Sequence, residues 1–276
     1  MIKPILFLDS GAGGLPYYRD FHIRNPAEKL VYAADRENFP YGAKDPSLLI
    51  SLLTALMEKL INRFDPRLVV LACNTASVTA LDHLRSSFSP LPFVGTVPAI
   101  KPAAEGSRRR SIGLLGTART VEDPYIADLA ARYAGGCSLS ALAAPDLVDF
   151  VERRLEDADE AERLAAVKPY VEKFRAGGAD AVVLGCTHFL LLADEFRLAA
   201  SPDIKIYDSI EGISRRIENL SNERAADDSS DAAFAIEKNL LVLTGSAPPE
   251  KVWEKRARRF DLSLCLLNAV KPETSP

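Results

Sequence analysis

Short, unbroken apolar runs recur along the chain and alternate with longer stretches of helical periodicity. Unbroken runs are typical of strands that are covered on both faces, as in a parallel sheet flanked by helices. We interpret seven runs as strands, at residues 5–8, 30–33, 68–72, 93–95, 112–115, 181–184 and 204–207. The intervening patterns predict helices, among them residues 47–64, 76–87, 123–133 and 160–176. This alternation predicts a doubly wound α/β fold.

Two pairs of segments repeat along the chain. Residues 68–75 resemble residues 181–188 at an offset of 113 positions, and in each copy a cysteine, Cys73 or Cys186, follows the apolar run. Residues 5–11 resemble residues 112–118 at an offset of 107 positions. Buried strands resemble one another by chance, but a cysteine at the same strand end in both copies is a rarer coincidence. The repeat therefore predicts two similar α/β domains.

Composition and charge exclude several classes of protein. The chain has 276 residues, 47% of them hydrophobic, and a formal net charge of -4. This balance predicts no nucleic-acid partner, and we interpret the basic runs 108–110 and 256–259 as a solvated turn and a solvated helix face. No apolar stretch reaches the ~18 residues that span a bilayer, so no membrane partner is predicted. The N-terminus is typical of a buried strand rather than a signal peptide, and we expect a cytoplasmic protein.

The four cysteines form no CxxC pair, and we expect reduced thiols rather than disulfides. The wide spacing and the three histidines, His22, His83 and His188, do not favour a metal site. Cys73 and Cys186 fall at predicted carboxyl ends of parallel strands, where open α/β sheets bind ligands. A following helix N-terminus would favour the thiolate form of each side chain.

Two thiols at matching places suggest a specific chemistry. A single buried cysteine is most often a small core residue. Two of them, one from each similar domain, can present a base to each face of one substrate carbon. One thiolate would then remove a proton while the opposite thiol delivers one, which inverts that carbon. A hydrolytic thiol nucleophile would need only one cysteine and a histidine base.

Further polar residues fall at predicted strand ends. The loop from Asp9 to Gly14 is rich in glycine but is neither a P-loop nor a GxGxxG motif, and it suits a small carboxylate better than a nucleotide. Asp9 either orients a thiol or a substrate ammonium group, or caps the following turn. His188 either assists Cys186 in proton transfer or bonds within the start of a helix. The side chains with types suited to bind an amino acid are Asn74, Thr75, Thr117, Thr187 and His188.

Four segments together resemble the glutamate racemases of the aspartate/glutamate racemase superfamily. The segments are residues 7–14, 38–42, 72–77 and 184–188, in the order of that family. The resemblance implies two pseudo-symmetric α/β domains, each a mainly parallel sheet flanked by helices, with the active site at the domain interface. It also implies a discontinuous first domain, residues 1–97 plus 209–276, and a second domain at residues 98–208.

The resemblance further implies interconversion of L- and D-glutamate without any cofactor or metal, with the D-isomer supplied to peptidoglycan synthesis. The expected partner is then a small-molecule substrate, glutamate, and a homodimer is common in the family. Cys73 and Cys186 would be the two bases, assisted by Asp9 and His188, with Glu152 loosely matching an acidic family residue. The residues implied to contact substrate are Asp9, Ser10, Pro40, Tyr41, Gly42, Cys73, Asn74, Thr75, Cys186, Thr187 and His188.

The chain departs from the family pattern in three places, residues 97–99, 123–125 and 189–191. These departures leave the substrate open, and aspartate racemase or another amino-acid racemase of the superfamily is the first alternative. Related decarboxylases need only one of the two cysteines, so two intact motifs argue against them. An alternative of a different class is a non-catalytic protein that binds dicarboxylates through the Asp9–Gly14 loop.

Overall fold

The computed structural model describes residues 3–224 and 236–268. The strands in this part of the chain are β1 Ile5–Asp9, β2 Leu30–Ala34, β3 Leu68–Leu71, β4 Phe93–Gly95, β5 Ser111–Gly116, β6 Ser138–Ala143, β7 Ala181–Leu184, β8 Lys205–Tyr207, β9 Leu240–Leu243 and β10 Ser263–Leu266. The α-helices are α1 Leu15–Arg24, α2 Pro46–Phe64, α3 Asn74–Ser87, α4 Ile100–Gly106, α5 Ala118–Glu122, α6 Pro124–Tyr133, α7 Pro145–Arg153, α8 Glu160–Ala176, α9 Ala193–Ala200, α10 Ile210–Arg224 and α11 Lys251–Arg259. Two 3₁₀ turns span Tyr41–Ala43 and Thr187–Leu192.

The first of two compact units comprises residues 3–96, 210–224 and 236–268 of the described chain. Its six strands form one sheet in the order β10-β9-β2-β1-β3-β4, and every pair is parallel. The central strands β1, β2 and β3 are buried along their whole length, because helices cover both faces. The C-terminal segment joins this sheet through β9, which pairs with β2.

The second unit is Val97–Ser209. Its parallel sheet has the order β6-β5-β7-β8, which is the order β2-β1-β3-β4 of the first unit. The first strand of each unit lies beside its third, so β1 corresponds to β5 and β3 to β7. The repeat predicted from the sequence is therefore confirmed as a repeat of topology.

The apolar periodicity of α2 shows how the helices cover the sheet. Its inward face buries Leu53, Met57 and Leu60 in a core shared with β1 and β3. Asp45 begins the helix, and its carboxylate accepts hydrogen bonds from the backbone N–H groups of Ser47 and Leu48 at 2.9 and 3.2 Å. Each fully buried side chain of this size contributes about 1.5–3 kcal/mol to folding, so the packing fixes the layer that carries the site.

Several expectations need correction. Helix α3 begins two residues earlier than predicted, directly after Cys73, and three strands were not predicted, β6, β9 and β10. The Ala-, Asp- and Ser-rich composition of residues 221–230 predicts a surface loop, and this is wrong at its start, because α10 continues to Arg224; the remainder lies outside the described residues. Arg256 is not on a solvated helix face but is buried, with its guanidinium 4.6 Å from the centre of the Trp253 ring. Among the described helices, none is long and apolar enough to cross a bilayer.

Candidate active site

Cys73 lies at the point where the first sheet reverses its strand order. The chain leaves β1 toward β2 on one side, while β3 pairs with the other side of β1. Such a reversal opens a crevice beyond the carboxyl ends of the two strands. Asp9 ends β1, and Cys73 follows β3 at the N-terminus of α3, where its carbonyl oxygen accepts the hydrogen bond of Ser77 N at 2.9 Å. Both side chains are buried.

The loop after Asp9 is fixed by polar contacts. An Asp9 carboxylate oxygen accepts hydrogen bonds from Gly11 N at 2.8 Å and from the Ser10 hydroxyl at 3.3 Å. Asp9 thus caps the turn that follows β1, as one of its two interpretations predicts. The Tyr32 hydroxyl donates to the Gly11 carbonyl at 2.9 Å and accepts from Gly14 N at 3.1 Å. A Cβ on Gly14 would lie 2.7 Å from the backbone oxygen of Ala72, so only glycine lets this loop pass beside β3.

A buried carboxylate that sequence reasoning missed holds the turn at Tyr41. Asp35 directly follows β2, is 1% exposed, and accepts a hydrogen bond from the Tyr41 hydroxyl at 2.7 Å. Its other oxygen accepts from the Thr244 hydroxyl at 2.7 Å, and the Asn38 side-chain amide contacts both oxygens at 3.2 and 3.0 Å. The signal that could have found Asp35 is its place: like Asp9, it lies within two residues of the end of a predicted buried strand.

Tyr41 lies within electrostatic reach of the thiol site. Burial raises the pKa of Tyr41 well above its usual value, and the negative charges of Asp35, Cys73 and Asp9 act in the same direction. The phenol therefore stays protonated at neutral pH, and its proton is engaged by Asp35. Tyr41 is accordingly a hydrogen-bond donor to Asp35 rather than a base.

Cys186 occupies the corresponding place in the second unit. It follows β7, which pairs with β5 at the reversal of strand order, and its side chain is buried. A Cβ on the preceding Gly185 would lie 2.7 Å from Leu114 Cδ1 and 3.0 Å from the Leu115 carbonyl oxygen. Glycine at this position thus avoids a close contact between β7 and β5 at the residue before Cys186.

A relay of side chains adjoins Cys186. His188 Nδ1 lies 3.7 Å from the Cys186 sulfur, and His188 Nε2 lies 2.8 Å from a Glu152 carboxylate oxygen. Glu152 comes from α7, which packs on the 3₁₀ turn that carries His188. The His188 and Glu152 side chains are only 4% and 10% exposed. The sequence matched Glu152 only loosely, and the structure places it in direct contact with His188.

The protonation of His188 reflects two opposed effects. Burial disfavours the imidazolium form and lowers its pKa, whereas the hydrogen bonds and negative charges of Cys186 and Glu152 raise it. The second effect is larger, so the pKa of His188 lies well above its usual value. An imidazolium beside a sulfur can donate a proton to it and take one back.

The remaining predicted residues divide between the two units. Asn74 and Thr75 are buried in the first turn of α3, and Pro40 and Gly42 flank Tyr41. In the second unit Thr187 is buried beside Cys186. The Thr117 hydroxyl caps α5 by accepting from Thr120 N at 3.2 Å, a structural bond that sequence reasoning did not foresee. In the part of the chain that is described, no three His, Cys, Asp or Glu side chains are grouped as metal ligands.

Comparison with known proteins agrees with this architecture. The profile of the Asp/Glu/Hydantoin racemase family matches residues 23–213. A glutamate racemase of Sphingopyxis alaskensis is 45% identical over 80% of this chain and 83% of its own, and one of Treponema pallidum is 42% identical over 76% and 78%. Among solved structures, Escherichia coli glutamate racemase in complex with L-glutamate and the activator UDP-MurNAc-Ala superposes with a TM-score of 0.85. It is 32% identical and covers 96% of this chain and 98% of its own.

These relatives confirm the family resemblance and the expected fold class. The matched profile spans more than half of the chain, and it includes both cysteine motifs. The chain therefore belongs to the Asp/Glu/Hydantoin racemase family and is an amino-acid racemase, an isomerase.

Proposed function

We propose that this protein interconverts L- and D-glutamate without a cofactor, using Cys73 and Cys186 as two proton-transfer bases. The equivalence of the two thiols carries this proposal. Each follows the third strand of its unit, beside the end of the first strand, at the reversal of strand order. We assign one sulfur to each face of the α-carbon of the substrate.

The reaction is a transfer of two protons. One thiolate forms an S–H bond as the Cα–H bond breaks, and the electron pair stays on Cα. The opposite thiol then gives its proton to the other face of Cα and becomes the thiolate. Exchange of the two roles gives the reverse reaction, so each turnover leaves the enzyme ready for the opposite enantiomer.

The relay beside Cys186 supports an acid–base role for this thiol. Glu152 holds Nε2 of His188, which directs Nδ1 toward the sulfur. We assign His188 the task of passing a proton to and from Cys186, and Glu152 that of keeping the ring oriented and charged. Asp9 is the carboxylate that we assign to the Cys73 side, where it ends the neighbouring strand.

Stabilisation of the carbanion is the main energetic demand, because an α-proton is far less acidic than a thiol. The N-terminus of α3 offers backbone N–H groups and positive partial charge beside Cys73, which suit the α-carboxylate of the substrate. We also assign Asn74, Thr75 and Thr187 to substrate binding, because they directly follow the two cysteines and carry amide or hydroxyl groups that can form hydrogen bonds. Prearranged donors in a site that excludes water lower the barrier without a cofactor.

Glutamate is proposed as substrate because relatives that match more than three quarters of the chain, among them those of Sphingopyxis alaskensis and Treponema pallidum, are glutamate racemases. The test is circular dichroism of the purified protein with L-glutamate, D-glutamate and L-aspartate, without added cofactor. We expect the ellipticity of both glutamate enantiomers to decay to zero, and that of L-aspartate to decay much more slowly. Faster decay with L-aspartate would contradict the assignment of glutamate. Saturable binding of glutamate with constant ellipticity would instead identify a non-catalytic dicarboxylate-binding protein.

A cellular role follows from the proposed reaction. D-glutamate would supply peptidoglycan synthesis, as the family resemblance implies. Both bases must remain reduced to act, which favours a cytoplasmic location. A homodimer stays a prediction from the family, and sedimentation of the purified protein measures it directly.

A further inference from the structure

The C-terminal segment contributes one buried hydroxyl to the surroundings of the first thiol. Thr244 directly follows β9, and its side chain is 2% exposed. Its backbone is fixed on both sides, because its N–H donates to the Ala34 carbonyl at 3.1 Å and its carbonyl accepts from Arg36 Nε at 2.8 Å. The Arg36 guanidinium also bonds to the Pro248 carbonyl at 3.1 Å, which holds the loop after Thr244.

The geometry at the Thr244 hydroxyl allows only one arrangement of its proton. The hydroxyl oxygen accepts a hydrogen bond from Glu37 N at 3.1 Å, so its single proton is directed to Asp35 at 2.7 Å. Asp35 in turn accepts from the Tyr41 hydroxyl at 2.7 Å through its second oxygen. One carboxylate thus joins the C-terminal segment to the 3₁₀ turn at Tyr41.

This chain of bonds ends at a turn that packs on the helix following the thiol. The turn at Tyr41 packs against α3, which begins directly after Cys73, and Tyr41 and Cys73 belong to the same buried cluster. A buried carboxylate is costly unless donors satisfy it. The directed bonds from the Tyr41 and Thr244 hydroxyls to Asp35 fix the orientation of all three side chains, which apolar contacts would not do.

We propose that Thr244 is a positioning residue for Cys73: it orients Asp35, which holds Tyr41 and the adjoining turn against the thiol. The inference rests on the proposed function of Cys73 as a base. It gives the C-terminal segment, 171 residues beyond Cys73, a direct part in the catalytic face of the first unit. The second unit has its own relay at Cys186, so the effect is confined to one of the two thiols.

The test compares Thr244→Val, which keeps the shape and removes the hydroxyl, with Thr244→Ser, which keeps the hydroxyl. Thr54→Val is the matched control, because the Thr54 hydroxyl bonds to the Ile50 carbonyl within its own helix. The readout is the rate of alkylation of each cysteine by iodoacetamide, followed by peptide mass spectrometry, with Cys186 as the internal reference. The kcat and KM for glutamate are measured on the same samples.

We expect Thr244→Val to raise the alkylation rate of Cys73 relative to Cys186 about fivefold or more, because the turn that packs against α3, the helix that follows the thiol, opens more often. The same variant should lower kcat/KM about ten- to a hundredfold, while Thr244→Ser and Thr54→Val stay within about threefold of wild type. Tyr41→Phe breaks the same chain of bonds at its other end and should raise the same ratio. If Thr244→Val does not fold, Tyr41→Phe still decides the test.

Two results would overturn the inference. One is an unchanged ratio of Cys73 to Cys186 alkylation in Thr244→Val, or in Tyr41→Phe in its place. The other is equal acceleration at both cysteines, which indicates global loosening and a purely structural threonine. If the wild-type protein does not racemise glutamate, the proposed function fails, whereas the alkylation ratio still decides whether Thr244 positions Cys73.

Discussion

The Glu152→Gln substitution examines the relay at Cys186 most directly. Glutamine has the shape of glutamate and still meets His188 Nε2, which lies 2.8 Å from the carboxylate in the wild type. What changes is the charge. The side chains of Glu152 and His188 are largely buried, so solvent screens their interaction little. A charge-assisted hydrogen bond is worth about 1–2 kcal/mol more than a neutral one.

The expected effect follows from that difference. A loss of about 1–2 kcal/mol in stabilising the imidazolium corresponds to a fall in kcat/KM of about five- to thirtyfold. The pKa of His188 should also move down toward its usual value, because one of the two groups that raise it is removed. The limb of the pH profile on which activity is lost with rising pH should therefore shift to lower pH.

The assay is initial-rate circular dichroism in both directions across pH. Because the two enantiomers have equal free energies, kcat/KM must fall by the same factor in both directions, which checks the data. The matched control is Glu172→Gln on α8, where the carboxylate forms an exposed pair with Arg175. Unchanged rates together with an unmoved alkaline limb in Glu152→Gln would refute the assignment of Glu152 to His188.

Three further expectations follow from the same geometry. Cys73→Ser and Cys186→Ser should each reduce racemisation of glutamate to a trace by circular dichroism, and full activity in either would end the two-base interpretation. Gly14→Ala should lower the unfolding free energy in urea by about 1–3 kcal/mol, since its Cβ would meet backbone at 2.7 Å, and a value equal to that of Gly135→Ala, which has open space, would contradict this. Because the folded-state pKa of His188 is raised, the folded protein holds a proton that the unfolded chain releases above about pH 6.5. The difference in unfolding free energy between wild type and Glu152→Gln should therefore shrink as pH rises through the raised pKa of His188. A difference that grows with pH would contradict a raised pKa.

The interior of the fold was predictable because its signal is local. The central strands are continuous apolar runs, and all seven predicted strands are present, because burial on both faces requires such runs. Strand β6 lies at the edge of its sheet and has only exposed and half-buried positions, and two serines interrupt the apolar residues in its first half. The exposed positions there are free of the hydrophobic constraint that made the seven predicted strands recognisable in the sequence.

The thiols were predictable for a similar reason. The cysteine after β3 and the cysteine after β7 end two copies of one local pattern, and parallel sheets bind ligands at that edge. The polar contacts between distant segments were less visible, because they leave no local periodicity. The bond between Asp35 and Thr244 joins residues 209 positions apart, and Glu152 and His188 are 36 positions apart. Only the register of β2 with β9 and the packing of α7 bring these pairs together.

Solvent labelling tests the central claim of two bases most directly. The wild-type enzyme is incubated with L-glutamate in heavy water and stopped after a small fraction has converted, and the enantiomers are separated and analysed for deuterium at Cα. Two separate thiols predict that the newly formed D-glutamate carries solvent deuterium, while the remaining L-glutamate is unlabelled. D-glutamate that retains the original proton would show that one group both removes and returns it, and would contradict the account.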